Sequence, residues 1–151
     1  MKLAIGADHG GINLKSAIMG FLASRGHQVV DFGAYKMEPE DDYPDFSAAV
    51  ARAVQSGQAE RGILICGSGV GASVAANKFT DIRAAVCHDT FSAHQGVEDD
   101  DMNVLCLGAR IIGEEAAKEV VERFVGAKFS GAPRHLRRLN KVKEMEKCRP
   151  A

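Results

Sequence analysis

The stretch best equipped for chemistry is residues 61–78, which read RGILICGSGVGASVAANK. An apolar run ends in Cys66, a glycine-rich turn follows, and small residues at helical spacing come next. Such a turn presents unpaired backbone N–H groups to an anion, and the positive end of a helix dipole favours a thiolate. The stretch therefore predicts a basic or nucleophilic sulfur beside an anion site.

The glycine spacing distinguishes this turn from two common nucleotide-binding loops. Gly67, Gly69 and Gly71 follow a G-x-G-x-G pattern, and no Lys-Ser/Thr pair ends the turn as it would in a P-loop. A dinucleotide fingerprint would also be expected after the first strand, where GADHGG is a poor match. A plain tight turn after a core cysteine stays open as an alternative.

Reactive side chains follow three other apolar runs. Asp8 and His9 come after the first run, His88 and Asp89 after the fourth, and Arg110 after the fifth. Asp8 and His9 could cap a helix or bind an anion, whereas Asp89 is predicted to cap a helix beginning at Thr90. These residues lack a dedicated metal-binding spacing, so no metal is predicted.

A basic cluster closes the chain. Residues 134–147 read as a basic helix on which Arg134, Arg138 and Lys141 share one face. A solvated face is one interpretation, and a phosphate clamp formed together with Arg110 is the other, because guanidinium groups match phosphate geometry. No aromatic residues interleave with these charges, which argues against nucleic-acid binding.

Strand and helix patterns alternate five times, and the strands are continuous apolar runs. Such runs indicate strands covered by helices on both faces. The prediction is an α/β protein: a Rossmann-like, three-layer α/β/α sandwich around a five-stranded parallel sheet. It forms one domain over residues 1–151, in which 134–151 are a C-terminal basic helix and tail. Ligands of such sheets bind beyond the carboxyl ends of the strands, where the residues above should meet.

Composition excludes several classes of protein. The chain is 46% apolar and 26% charged with a net charge of −1, so no overall field favours nucleic acid or membranes. No apolar run has membrane-spanning length, and no secretory signal is expected at the start. Of the 4 cysteines, Cys87 and Cys106 lie within apolar runs and are predicted core residues. Thiols of this kind suit a reduced, cytoplasmic protein.

Several motifs together resemble a known family. They are GADHGGINLK (6–15), DYPDF (42–46), ICGSGVGASVAANK (65–78), NVLCLGARIIG (103–113) and PRHLRRLNK (133–141). In order and spacing they resemble the type B ribose-5-phosphate isomerases and the related galactose-6-phosphate isomerase subunits. The resemblance implies interconversion of an aldose phosphate and a ketose phosphate without metal or cofactor. It also implies a homodimer or dimer of dimers whose active sites are shared between subunits.

The resemblance also implies roles for individual residues. Cys66 would move the proton between carbons, because Ala72 stands where some members carry a glutamate base. The backbone from Gly67 to Ser73, including Gly69 and Gly71, would hold the enediolate oxygens, together with the Ser68 hydroxyl. Asp8 and Tyr43 would contact sugar hydroxyls, and the expected phosphate ligands are His9, Arg110, Arg134 and Arg138.

One position departs from the family pattern. A histidine followed by asparagine, which helps open the sugar ring, usually lies four residues before the asparagine that is Asn103 here; this chain has Asp99 and Asp100 instead. An ionised aspartate accepts a proton but cannot donate one. Three hypotheses follow: the substrate needs no ring opening, Asp99 itself accepts the hydroxyl proton, or ring opening is slow. A weakly active or non-catalytic sugar-phosphate-binding subunit is the alternative function.

Overall fold

Each predicted apolar run forms a β-strand in the computed structural model, which describes residues 1–147. The strands are β1 (Lys2–Ala7), β2 (Gln28–Asp31), β3 (Arg61–Cys66), β4 (Ala84–Val86) and β5 (Val104–Gly108). The helices are α1 (Ile12–Ser24), α2 (Tyr43–Gln55), α3 (Val70–Ala76), α4 (Thr90–Asp100), α5 (Glu114–Gly126) and α6 (Pro133–Lys147). A short 3-10 turn, His9–Gly11, precedes α1.

The strands form one parallel sheet in the order β2-β1-β3-β5-β4. Successive side chains of a strand point to opposite faces, so each apolar strand supplies two cores. On one face, Leu3 and Ile5 pack with buried residues of α1, α4 and α5; on the other, Ala4 packs with α2 and α3. The predicted three-layer α/β sandwich with a five-stranded parallel sheet is therefore confirmed.

The order of the strands sets the position of a ligand crevice. The chain passes from β1 to β2 on one side and then crosses to β3 on the other, so the direction of winding reverses between β1 and β3. Ligands of open parallel sheets bind at such a reversal, outside the carboxyl ends of the strands. The ends of β1, β3 and β5 are neighbours there, with Ala7 beside Ile65 and Cys66 beside Gly108.

Two helices, α4 and α6, carry residues that the sequence predicts for the site. The carboxylate of Asp89 accepts a hydrogen bond from the backbone N–H of Ser92 at 2.7 Å, which confirms the predicted cap of α4. The helix continues through the acidic run to Asp100 and ends where Asp101 adopts a φ of 53°. The predicted basic helix is α6, which packs against α4. The predicted tail beyond Lys147, with Cys148, lies outside the described residues.

Within residues 1–147, no helix has both the length and the apolar character needed to cross a bilayer.

Candidate active site

A cavity of about 350 Å³ opens at the carboxyl edge of the sheet. Residues that follow β1, β3 and β5 line it, and α2 contributes one aromatic side chain. The lining residues are Asp8, His9, Gly10, Tyr43, Cys66, Gly67, Ser68, Gly71, Arg110 and Ile111. The edge predicted from the strand pattern is therefore where the reactive side chains meet.

The turn after β3 places a sulfur beside backbone donors. Cys66 is 5% exposed, and its Sγ accepts a hydrogen bond from the backbone N–H of Gly69 at 3.1 Å. Gly69 has a φ of 81°, a conformation that residues with a Cβ rarely adopt. α3 has only 7 residues, so the N–H groups of the turn contribute more directly than its short dipole. The turn therefore directs a backbone N–H at the sulfur.

The end of β5 clamps the turn. The backbone N–H of Ala109 donates to the carbonyl of Cys66 at 2.8 Å, and that of Arg110 donates to the carbonyl of Gly67 at 3.0 Å. A Cβ on Gly108 would lie 2.6 Å from the Ser68 carbonyl carbon, so only glycine allows this approach. The side chain of Arg110 also lies close to Gly67, with Nε 3.6 Å from where a Cβ would be. The clamp therefore brings a cation to the turn, in the cavity that Cys66 also lines.

Asp8 supplies an acceptor without a donor. Its Oδ1 is buried and has no hydrogen-bond partner among the described residues. Burial raises the pKa of the Asp8 carboxyl, and nearby Asp41 adds to this, whereas His9 and the backbone N–H groups of Gly10 and Gly11 oppose it. A hydroxyl group entering the cavity would supply the missing donor.

Asp41 holds the imidazole of His9. Nδ1 of His9 lies 2.6 Å from Oδ1 of Asp41, and the backbone N–H of His9 donates to the same carboxylate at 2.9 Å. Asp41 is 9% exposed and His9 is 29% exposed. One carboxylate thus fixes both the ring and the backbone of a cavity residue.

Tyr43 closes one side of the cavity at the start of α2. Its ring lies so close to α3 that a Cβ on Gly71 would be 2.7 Å from the phenol carbon Cζ. Glycine at this position therefore leaves room for an aromatic residue above the turn.

Comparison with known proteins identifies the family. The Ribose/Galactose Isomerase family model matches residues 3–142. The chain belongs to the ribose/galactose isomerase family. It is therefore an isomerase, as the resemblance predicted.

Relatives of this isomerase match over nearly their whole length. Ribose-5-phosphate isomerase B of Escherichia coli is 44% identical over 98% of both chains. D-erythrulose-4-phosphate isomerase of Pectobacterium atrosepticum is 41% identical over 87% of this chain and 86% of its own. The solved structure of ribose-5-phosphate isomerase B from Clostridium thermocellum matches with a TM-score of 0.94 and 49% identity, covering 97% of this chain and 98% of that chain.

Some predicted site residues of the isomerase do not reach this cavity in their own chain. α4 starts just after the carboxyl end of β4 and ends before the amino end of β5, so Asp99 and Asp100 lie toward the opposite edge of the sheet. Arg134 and Arg138 lie on α6, which packs against α4. Ser73 lies on α3 but does not line the cavity.

Asp99 and Arg134 instead meet at a buried histidine. Nε2 of His135 accepts a hydrogen bond from Nε of Arg134 at 2.8 Å and lies 3.4 Å from Oδ1 of Asp99. Nδ1 of His135 pairs with the Ser130 hydroxyl at 2.7 Å, and Asp99 also accepts from Gln95 at 3.1 Å. Within one chain, the predicted site residues therefore form separate groups. One group lines the cavity, and another includes Asp99 and Arg134 beside His135.

Cys87 and Cys106 are core residues, as predicted. Cys87 is 4% exposed and Cys106 is fully buried, and both thiols are free. Burial raises the pKa of Cys87 to about 11, and burial also raises the pKa of Cys106. Among residues 1–147, no group of three or more His, Cys, Asp or Glu side chains is placed to hold a metal ion.

Two residues of the site were not predicted. Asp41 lies in an acidic loop without periodicity, so its sequence gave no signal that it would bind His9. The sequence places His88 after the fourth strand without a specific role in the site, and in the structure its Nε2 accepts the backbone N–H of Gly108 at 2.9 Å. The sequence did offer a signal for this bond, since His88 comes directly after β4. A neighbouring parallel strand presents backbone N–H groups to which such a histidine can bind.

We expect Asp8→Asn to stabilise the protein at neutral pH. The folded-state pKa of Asp8 lies above its ordinary value, so its contribution to stability falls as pH rises through that pKa. At neutral pH the buried Asp8 carboxylate is charged and lowers the free energy of unfolding of the parent, and the neutral asparagine removes this effect. Denaturant unfolding at pH 7 and pH 3 should show a gain at pH 7 that shrinks at pH 3.

Asp89→Asn is the matched control with the opposite sign. Hydrogen bonding from Ser92 lowers the pKa of Asp89, so its contribution is present at neutral pH and lost as pH falls. This variant should be less stable than the parent at pH 7. A loss of stability in Asp8→Asn at pH 7 would contradict the cost of burial inferred for Asp8.

Proposed function

We propose that the protein interconverts an aldose phosphate and a ketose phosphate of four or five carbons through an enediolate, with Cys66 as the base. The observation that carries the proposal is the position of the Cys66 sulfur, in the cavity and within 3.1 Å of a backbone N–H of the glycine turn. A base for a carbon acid is useful only beside groups that stabilise the resulting oxyanion. This turn supplies both.

The reaction moves one proton between adjacent carbons. The Cys66 thiolate takes the proton from the carbon next to the carbonyl, and the electron pair moves to the carbonyl oxygen to give the enediolate. The backbone N–H groups of Gly67, Ser68 and Gly71 and the Ser68 hydroxyl would stabilise that oxygen, whereas the N–H of Gly69 donates to the sulfur. The thiol then returns the proton to the neighbouring carbon, and a hydroxyl proton moves between the oxygens. Removal of one such donor costs about 100-fold or more in rate.

Asp8 and Tyr43 would bind the hydroxyl groups of the sugar. Within residues 1–147 the Oδ1 of Asp8 has no hydrogen-bond donor, so a sugar hydroxyl could supply one. The phenol of Tyr43 lines the same cavity. Together they would fix which carbon faces Cys66, and such positioning supplies a large part of rate enhancement.

The phosphate requires more positive charge than one chain brings to its cavity. Arg110 and the imidazole of His9 are the predicted phosphate ligands that line it. Arg134 and Arg138 lie on α6, away from it. We propose that a second copy of the chain places these arginines, with Asp99 and Asp100, beside the cavity. The resemblance to enzymes with shared sites supports this assembly.

The names of the relatives support a small phosphorylated sugar as the substrate. A ribose-5-phosphate isomerase B and a D-erythrulose-4-phosphate isomerase share 44% and 41% of their aligned residues with this chain. A cavity of about 350 Å³ is at the small end of ligand pockets. Five-carbon and four-carbon aldose phosphates are therefore the first substrates to test.

We expect Cys66→Ala to lower kcat/KM about 100-fold or more, because it removes the proton-transferring group. Steady-state isomerisation of ribose 5-phosphate and of erythrose 4-phosphate measures the effect. Cys87→Ala is the control, since that thiol is buried in the core and should retain activity. Full activity of Cys66→Ala would show that another group is the base.

The shared site can be tested with a mixed dimer. Cys66→Ala and Arg134→Ala chains should each be nearly inactive, whereas a dimer of one chain of each kind contains one intact site. Co-expressed chains carrying different tags, purified through both, should regain about half of the wild-type activity per dimer. The shared active site would be contradicted if the mixed dimer were as inactive as its parents. It would also be contradicted if the Arg134→Ala protein were active.

A sugar-phosphate-binding subunit with little activity is the second candidate function, and the surroundings of Asp99 favour it. Its carboxylate bonds Gln95 and lies beside His135, where it offers no proton donor for opening a sugar ring. We expect Asp99→His to raise turnover of cyclic ribose 5-phosphate about tenfold or more and to leave that of open-chain erythrose 4-phosphate unchanged.

The outcome separates the two candidates. If both the parent and Asp99→His bind these sugar phosphates without converting either, the binding function is supported. If the parent converts ribose 5-phosphate and the reversion changes no rate, position 99 has no part in ring opening.

A further inference from the structure

His135, in the first turn of α6, is a buried polar residue that the sequence did not predict for the site. Its side chain is 5% exposed. Nε2 of His135 accepts a hydrogen bond from Nε of Arg134 at 2.8 Å, and Nδ1 lies 2.7 Å from Oγ of Ser130. The ring therefore links an exposed arginine to the interior of the protein.

These contacts fix which ring nitrogen carries the proton. A guanidinium only donates hydrogen bonds, so Nε2 of His135 must offer a lone pair to Arg134. The proton of the neutral imidazole then lies on Nδ1, which donates it to Ser130. Oγ of Ser130 also accepts the backbone N–H of Ala132 at 3.3 Å, in agreement with an acceptor role. Oδ1 of Asp99 is farther from Nε2, at 3.4 Å, than Nε of Arg134 is.

The bond to His135 orients Arg134 without using the end of the side chain that suits phosphate. Within residues 1–147, this is the one hydrogen bond of the Arg134 side chain, so both terminal nitrogens are left for a bidentate contact. An arginine on a helix surface samples many rotamers, and a ligand that fixes one of them loses affinity through the lost entropy. A contact that fixes the rotamer beforehand reduces that loss.

We propose that His135 is a positioning residue, which holds Arg134 in the orientation that binds the substrate phosphate. The proposal rests on the isomerase function proposed above, in which Arg134 serves the cavity of a second copy of the chain. Ser130 has a supporting part, because it keeps the imidazole in the tautomer that accepts from Arg134.

A purely structural role for His135 predicts a different result. α6 packs against α4, and a buried ring could serve only to hold these helices together. Phenylalanine preserves the ring and removes both nitrogens, whereas glutamine keeps an oxygen that can accept from Arg134. Loss of phosphate affinity without loss of stability therefore separates positioning from packing.

The test measures the Kd of inorganic phosphate by isothermal titration calorimetry, together with isomerisation of ribose 5-phosphate and erythrose 4-phosphate. We expect His135→Phe to raise the phosphate Kd and both KM values about three- to tenfold, with kcat unchanged. His135→Gln should restore most of this affinity. Adding His135→Phe to Arg134→Ala should cause no further loss of phosphate affinity, because the effect of one residue passes through the other.

His94→Phe is the matched control, because His94 is an exposed histidine of α4 that pairs with Glu98. It should leave the phosphate Kd and both KM values unchanged. If His135→Phe does not fold, Ser130→Ala provides the test, since it removes the acceptor of the Nδ1 proton and should raise the phosphate Kd in the same direction.

Three results would overturn the proposal. They are an unchanged phosphate Kd in a folded His135→Phe protein, a loss that glutamine does not restore, and a loss that adds fully to that of Arg134→Ala. A parent that converts neither sugar phosphate overturns the isomerase function itself, whereas the phosphate Kd of the variants still decides the role of His135.

Discussion

The site depends on one close packing of backbone on backbone, that of the Cys66 turn against the end of β5. Two hydrogen bonds join them, and glycine at positions 69 and 108 lets the chains approach. His88 completes the clamp by accepting the N–H of Gly108. The sulfur and the N–H groups around it are consequently fixed before any ligand arrives. Donors that need no reorganisation are the ones that stabilise a developing charge best.

The sequence allowed the sheet and its reactive edge to be predicted, because both follow from local rules. Continuous apolar runs separated by helical patterns leave few folds other than a parallel sheet, and the carboxyl ends of parallel strands share one edge. Asp8 directly follows β1, Cys66 ends β3 and Arg110 lies two residues beyond β5, so their convergence required no knowledge of side-chain packing. The motifs around Asp8, Cys66 and Arg110 lie at that edge, whereas the motif that carries Arg134 and Arg138 lies on α6.

What could not be predicted depends on distances through space. The sequence predicts Asp99 beside Cys66, but α4 has 11 residues, is about 16 Å long and ends away from the site of its own chain. Asp41 lies in a loop whose path is set by tertiary contacts. Buried Lys15 holds the start of that loop through Asp31 at 2.7 Å and the carbonyl of Ala34 at 2.8 Å. No periodicity in the sequence encodes such contacts.

The buried, unpartnered oxygen of Asp8 has a consequence for selectivity. A sugar with a hydroxyl at the matching carbon satisfies the oxygen, whereas a deoxy sugar of the same size leaves it desolvated and unpaired. Sites built around a buried acceptor reject ligands that lack the donor far more strongly than they reject ligands that are one carbon longer or shorter. The pattern of hydroxyl groups, more than the number of carbons, would then decide which sugars the cavity accepts.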